Sequence, residues 1–327
     1  MNDISPNEVS ALHDRITQEL NKVIVGQEQI VRLLLACLFA RGHCLLIGVP
    51  GLAKTLIVRT LSEILQLSFK RIQFTPDLMP GDILGSEILQ ERERRLEHEF
   101  QPGPIFANLI LADEVNRTPP KTQAALLEAM QEHKVTIGGH SRALPDPFLV
   151  VATQNPIEQE GTYPLPEAQL DRFMFSLHLG YPAKAEEMEI VKRTTLQETS
   201  ALTPTISAED LLRVQRLVLA APVSDHVIDY AVSLAAATRP GNAESPPAAR
   251  DFVEWGAGPR ASQYLILGAK ALALLRGKIS PETSDVREVA MHVLQHRVIT
   301  NYRATGAGMK SRDVVKNILS TVGEKTY

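Results

Sequence analysis

Apolar residues fall three and four apart at Val9, Leu12, Ile16 and Leu20, which predicts an amphipathic helix over residues 7–21. A second, more apolar helix is predicted over about residues 29–40. The pattern then changes. Cys44-Leu45-Leu46-Ile47, Leu109-Ile110-Leu111-Ala112 and Phe148-Leu149-Val150-Val151-Ala152-Thr153 are short, uninterrupted apolar runs, as expected of strands buried on both faces. Phe69-Lys70-Arg71-Ile72-Gln73-Phe74 and Phe173-Met174-Phe175-Ser176-Leu177 read as two more strands. Helical spacing separates them, over residues 56–67, from Pro119-Pro120 to about residue 132, and briefly near residues 167–170. Strands alternating with helices predict an α/β fold with a parallel sheet covered on both faces.

Two segments depart from that alternation. Pro76, Pro80, Gly81 and Gly85 break any long helix after Thr75, and residues 87–90 and 96–100 are predicted to pair as a hairpin across the charged run Glu91-Arg92-Glu93-Arg94-Arg95. Residues 134–137 and 141–144 flank Gly138-Gly139 as a second hairpin. Beyond about Pro182 the remaining patterns are helical, over residues 185–198, 208–220, 224–238, 261–276 and 284–296, with a polar loop at 241–247. The expected organisation is an α/β domain over residues 1–182 and an all-helical domain over residues 183–327.

Composition narrows the class. The 327 residues are 44% apolar and 22% charged, as in a soluble globular protein with room for a substantial core. The formal net charge of −4 supplies no basic footprint for nucleic acid. Cys37 and Cys44 both sit in apolar surroundings and read as small buried hydrophobes, and the nine histidines show no metal-ligand spacing. No apolar run approaches a membrane span, and Met1-Asn2-Asp3-Ile4-Ser5 lacks the basic and apolar regions of a signal peptide, so a cytoplasmic protein is expected.

The chemistry begins directly after the first buried run. Gly48-Val49-Pro50-Gly51-Leu52-Ala53-Lys54-Thr55 has the strand, tight loop and helix-opening layout of a phosphate-binding loop, or Walker A motif. Backbone N–H groups at such a helix start face an anion and the helix dipole favours it. Lys54 is expected to reach the β- and γ-phosphates, and Thr55 to ligate Mg²⁺. Ala53 stands where the strict pattern has Gly, which fits if the backbone there is already helical with negative φ. Downstream, the second apolar run ends in Asp113-Glu114, as in a Walker B motif. Adjacent side chains at a strand end project in different directions. Asp113 is therefore assigned to Mg²⁺, through a coordinated water, and Glu114 to orienting and deprotonating the attacking water. Asn155 follows a core strand where a polar side chain meets the γ-phosphate or the attacking water. Arg260 opens a helix of the second domain, an unfavourable place for a cation near a helix N-terminus and so a hint of function. Together the motifs predict nucleoside triphosphate hydrolysis.

The chain resembles a MoxR-type ATPase of the AAA+ superfamily. The resemblance is carried by Val25-Gly26-Gln27, the loop with Ala53, Leu111-Ala112-Asp113-Glu114-Val115-Asn116-Arg117, and the stretch from Gln154-Asn155-Pro156 through Glu160-Gly161-Thr162-Tyr163-Pro164-Leu165-Pro166-Glu167 to Leu170-Asp171-Arg172-Phe173. It implies an αβα nucleotide-binding core followed by a helical lid, ATP and Mg²⁺ as cofactors, and a homo-oligomeric ring, commonly a hexamer, with the ATP site between subunits. By similarity Asn155 takes the sensor-1 role, Arg260 the sensor-2 role from the lid, and Arg172 that of an arginine finger acting on the neighbour's site, with Arg117 as a second candidate for an interface arginine. Val25 and Gly26 would contact adenine. The hairpins match insertions that mark the clade shared with magnesium-chelatase subunits. The resemblance further implies a chaperone or remodeller of partner complexes, paired with a protein carrying a von Willebrand factor A domain.

Three other readings stay open on the residues. A magnesium-chelatase-type motor subunit shares the clade and both hairpins. A nucleic-acid motor has the acidic net charge against it. A non-hydrolysing nucleotide-gated scaffold lacks support, because Lys54, Thr55, Asp113, Glu114, Asn155 and Arg172 are all present.

Overall fold

The computed structural model describes residues 4–92, 95–157, 161–195 and 201–323. Residues 1–3 at the start of the chain, Glu93 and Arg94 of the charged run, Glu160 of the long motif and residues 196–198 of the predicted helix lie outside them.

Helices α1 (Pro6–Asn21) and α2 (Glu28–Phe39) precede strand β1 (Cys44–Ile47), helix α3 (Lys54–Ile64) and strand β2 (Phe69–Gln73). A short helix α4 (Pro80–Leu84) leads into the hairpin β3 (Gly85–Arg92) and β4 (Arg95–Pro102). Then follow β5 (Leu109–Asp113), α5 (Pro120–Glu132), the hairpin β6 (Lys134–Ile137) and β7 (His140–Ala143), β8 (Leu149–Gln154), α6 (Glu167–Leu170) and β9 (Phe175–His178). The C-terminal part consists of α7 (Lys184–Thr195), α8 (Ala208–Ala220), α9 (Asp225–Ala237), α10 (Pro247–Phe252), β10 (Val253–Trp255), α11 (Pro259–Leu275), α12 (Thr283–Leu294), β11 (Ile299–Thr300), α13 (Tyr302–Gly306) and α14 (Ser311–Thr321).

The central sheet has the order β2-β5-β8-β1-β9, and every pairing in it is parallel. Alternation along the buried strands divides the core. Leu109, Leu111, Leu149, Val151, Cys44 and Leu46 face one apolar cluster, while Ile110, Ala112, Val150, Ala152 and Leu45 face the other. The first cluster is filled by α1, α2 and α3 and continues without a break into Leu265 and Leu272 of α11, Val289 of α12 and Val314 of α14. Gly268 of α11 comes so near β9 that a Cβ there would lie 2.8 Å from Cζ of Phe175. The Gln215 amide of α8 donates to the Leu38 carbonyl of α2 at 2.9 Å, also buried. Both predicted hairpins form, and Arg142 of β7 joins them: its guanidinium lies 3.8 Å over the Phe100 ring and 3.9 Å from the Glu87 carboxylate.

The sequence reading missed α4, α10, α13, α14 and the small antiparallel pair of β10 and β11, the one departure from a purely helical C-terminal part among the described residues. In α4 and α10 proline is the opening residue rather than a breaker. Proline fits there because the first helical N–H has no partner inside the helix. In α4 the Asp82 carboxylate accepts from the Met79 N–H at 2.8 Å, which caps the turn. Among the described residues no single helix is long and apolar enough to cross a membrane, and no group of three or more His, Cys, Asp or Glu is gathered to hold a metal. Cys37 and Cys44 are buried and free, and burial together with the neighbouring Cys37 pushes the Cys44 thiol well above the usual range.

Candidate functional site

Parallel pairing in register sets the C-terminal ends of β1, β5 and β8 side by side, with Ile47 opposite Gln154 and Gln73 opposite Asp113. Such an edge is where ligands bind in open α/β sheets. A cavity of about 420 Å³ lies there, lined by residues 50–56 with Arg71, Asp113, Glu114 and Asn155. The sheet thus gathers five residues that sequence reasoning singled out separately: Lys54, Thr55, Asp113, Glu114 and Asn155.

The loop is tied to the sheet by the Gly48 N–H, which donates to the Gln154 carbonyl at 3.2 Å. A Cβ at Gly48 would sit 3.1 Å from that of Leu179, a tight contact, and Gly51 has φ +87°, which favours glycine. Ala53 corrects the sequence expectation. Its φ is 56° and its ψ 20°, the left-handed region, where helical negative φ was expected. The residue turns the chain into α3 as the residue before its first turn, and the Ala53 carbonyl already accepts from the Ile57 N–H at 2.9 Å. Left-handed backbone costs an L-residue about 1–2 kcal/mol. The Lys54 ammonium lies back on the loop, donating to the carbonyls of Gly48 and Val49.

The two carboxylates are held by partners absent from the sequence argument. Asp113 is buried. Its Oδ1 accepts from the Thr153 hydroxyl at 2.6 Å, and its Oδ2 accepts from Arg71 Nε at 3.0 Å and Nη2 at 2.6 Å. Thr153 is wholly buried and also accepts from the Glu114 N–H at 2.9 Å, so one hydroxyl aligns both acidic residues. Glu114 leaves the strand with φ 56° and ψ 48°, a second left-handed non-glycine at the same cavity. Strained backbone of this kind costs of order 1–3 kcal/mol and gathers at functional sites. The Glu114 Oε2 accepts from Gln73 Nε2 and Arg117 Nη1, both at 3.1 Å. Gln123, also wholly buried, donates to the carbonyls of Val115, Thr118 and Tyr163 at 3.0–3.2 Å, fixing the turn after Glu114 to the long motif downstream.

Asn155 is buried, and its side-chain oxygen accepts from the Ile157 N–H at 3.2 Å. Its amide N–H groups are thus the donors it has to offer. Val25 lines a second cavity of about 120 Å³, which shares Gly51, Leu52, Ala53 and Leu56 with the first and is closed by Pro182 and Ile190. Gly26 is not among its lining residues. There φ is +69°, a left-handed turn that favours glycine, and the position faces the Glu186 carboxylate.

The remaining arginines stand apart from the cavity. Arg260 Nη1 lies 2.9 Å from Asp171 Oδ2, next in sequence to Arg172. Asp171 Oδ1 is taken by Arg297 at 2.7 Å. Arg297 is nearly sealed, and its guanidinium also donates to the carbonyls of Asp171 and Phe173 at 2.8 and 2.7 Å. Burial lowers its pKa, and Asp171 works in the other direction. Arg172 therefore rides on a segment anchored to α11 and to the end of α12.

Comparison with known proteins agrees with this geometry. Residues 43–175 match the ATPase family associated with various cellular activities (AAA), and residues 247–318 match an AAA lid domain. The chain is 45% identical to Chaperone MoxR1 of Mycobacterium tuberculosis, over 94% of this chain and 81% of that protein. It is 32% identical to Protein MoxR of Methylorubrum extorquens, over 87% of this chain and 86% of that protein. A crystal structure of a protein from Cytophaga hutchinsonii superposes with a TM-score of 0.89 at 42% identity, covering 98% of both chains.

Proposed function

The chain belongs to the MoxR family of AAA ATPases, and from that premise we propose that it hydrolyses ATP with Mg²⁺ in an oligomeric ring and uses the turnover to remodel partner protein complexes. The observation that carries the reading is the convergence of Lys54, Thr55, Asp113, Glu114 and Asn155 on one cavity at the C-terminal edge of a parallel sheet.

The donor set fits the metal. The Thr55 hydroxyl and the Asp113 carboxylate are hard oxygen donors of the kind Mg²⁺ takes, and Asp113 already has a cationic partner in Arg71. When bound, the metal would be held by Thr55 and Asp113 and would supply positive charge against the charge that develops in phosphoryl transfer. Loop N–H groups cradle the phosphates, and Lys54 exchanges two carbonyls for phosphate oxygens. Glu114, held by Gln73 and Arg117, orients the attacking water and takes its proton. Asn155 offers its amide to that water or to the γ-phosphate, and Val25 takes the adenine side.

Arg172 acts on the neighbouring subunit's nucleotide; Arg117, which here pairs with its own Glu114, is the alternative candidate for that role. An arginine supplied in trans is worth on the order of a thousandfold or more in rate. Arg260 acts from a lid spanning residues 183–327, releasing Asp171 to reach phosphate. The hexameric ring, a partner with a von Willebrand factor A domain, a client complex and a cytoplasmic setting complete the proposal.

The test is ATPase rate per subunit against protein concentration, with particle mass followed with and without ATP and Mg²⁺. A rate climbing steeply as a ring appears supports the reading. A flat rate from a monomer, or no hydrolysis at any concentration, overturns it.

A further inference from the structure

Both oxygens of Asp113 have partners, but only Oδ2 has two donors on it. Oδ1 takes the Thr153 hydroxyl, and Oδ2 takes two nitrogens of one guanidinium, Nε and Nη2 of Arg71. The two partners are not equal. Thr153 has no exposed surface and also holds the Glu114 backbone, so it is scaffold. Arg71 comes from the outermost strand of the sheet, its side chain is 49% exposed, and it lines the same cavity as Lys54 and Thr55. It has the freedom to withdraw.

We infer that Arg71 is a built-in counter-cation for Asp113, holding the metal-binding carboxylate neutralised until metal and nucleotide arrive and then giving way. The inference rests on the nucleotide-binding reading proposed above. Its physical content is charge. A carboxylate with 7% of its surface exposed repels an incoming polyphosphate unless a cation stands beside it. Arg71 supplies that cation in the absence of metal, so the empty cavity accepts phosphate. Arg71 Nη2 donates as well to Gln73 Oε1 at 2.6 Å, and Gln73 Nε2 donates to Glu114, so withdrawal of the guanidinium loosens the amide that holds the second carboxylate. Arg71 is a positioning residue in this scheme, acting on phosphate and metal through Asp113.

The experiment measures equilibrium binding of ATP to the full chain by calorimetry, once in EDTA and once in saturating Mg²⁺. It uses the native protein, Arg71→Met, Arg71→Lys, Asp113→Asn and the double variant. Methionine keeps the aliphatic stem and removes the charge. Arg71→Met is expected to weaken metal-free ATP binding about fivefold or more and to change binding in Mg²⁺ by less than about twofold, a coupling of ordinary allosteric size. Arg71→Lys should recover most of the metal-free affinity. In the Asp113→Asn background, Arg71→Met should cost nothing further, because no charge is left to neutralise. If Arg71→Met weakens both conditions equally, or weakens metal-free binding equally in the Asp113→Asn background, Arg71 binds phosphate directly and the inference is overturned. No change in either condition overturns it too. Failure of the native protein to bind ATP in either condition removes the nucleotide reading itself, and the inference with it.

Discussion

Thr153→Val removes one hydroxyl and keeps the shape of the side chain. The lost bond to Asp113 is charge-assisted at 2.6 Å, worth about 1.5–3 kcal/mol, and the bond from the Glu114 N–H is worth about 1 kcal/mol. Both groups are then left without that partner in a wholly buried place. The expected loss of stability is about 3 kcal/mol, within the 5–15 kcal/mol that a domain of ordinary stability has. The larger effect falls on turnover. The Glu114 N–H bond holds a backbone at φ 56°, and without it that residue has reason to relax toward negative φ and carry its carboxylate away. A misplacement of about 1 Å can cost about a hundredfold in rate. Steady-state ATPase assays on Thr153→Val should therefore show kcat reduced at least about tenfold, with ATP affinity nearly native because the phosphate loop is untouched. Thr153→Ser restores the hydroxyl and should restore most of kcat, which separates alignment from packing. A folded Thr153→Val that turns over at the native rate would refute the argument, as would a Thr153→Ser as slow as the valine variant.

Glu114→Gln should bind ATP and Mg²⁺ as the native chain does while losing turnover, read by calorimetry and phosphate release together; native-rate hydrolysis would assign the base elsewhere. Arg172→Ala should be inactive alone, yet when mixed into native rings its own nucleotide site should still fire, and full activity of the pure variant would move the trans arginine to Arg117. Stability should also fall in acid through His43, whose Nδ1 accepts from the Val150 N–H at 3.0 Å and whose Nε2 lies 3.1 Å from the Met130 carbonyl. Burial lowers its pKa from 6.5 to about 4, so the folded chain keeps the neutral ring and the unfolded chain takes the proton first. That contribution is complete above about pH 6.5 and drains as the pH falls toward 4, by about 3 kcal/mol in all. Urea unfolding of the native protein and His43→Gln from pH 7.5 to pH 4 should show a flatter profile in the variant, and parallel profiles would exclude His43 as the source.

What the sequence disclosed and what it hid follow from chain distance. Gly48 to Thr55 and Asp113-Glu114 are contiguous, and each motif carries its chemistry in neighbouring residues, so they were legible. The five-stranded parallel sheet was legible because strands buried on both faces read as unbroken apolar runs. Arg71, Gln73 and Thr153 were not, because their role depends on which strands lie side by side. The signal was present in part: Arg71 and Gln73 alternate on one face of a strand, and pairing that strand with the one ending in Asp113 brings them to the carboxylates. Arg297 gave no signal, since its partners lie more than a hundred residues away. The positive φ at Ala53 runs against the ordinary preference of alanine, and the signal for it was the glycine that the strict loop pattern has at that position.

The apolar cluster that runs unbroken from α1 and α2 into α11, α12 and α14 bears on mechanics. A glycine there is pressed against an aromatic ring, and the ion pairs of Arg260 and Arg297 with Asp171 and of Arg32 with Glu288 cross the same boundary. Dense interiors deform little and transmit strain. The C-terminal part is therefore coupled to the sheet as a cantilever is to its wall: a displacement of one would be carried into the other through packed helices rather than absorbed at a loose hinge.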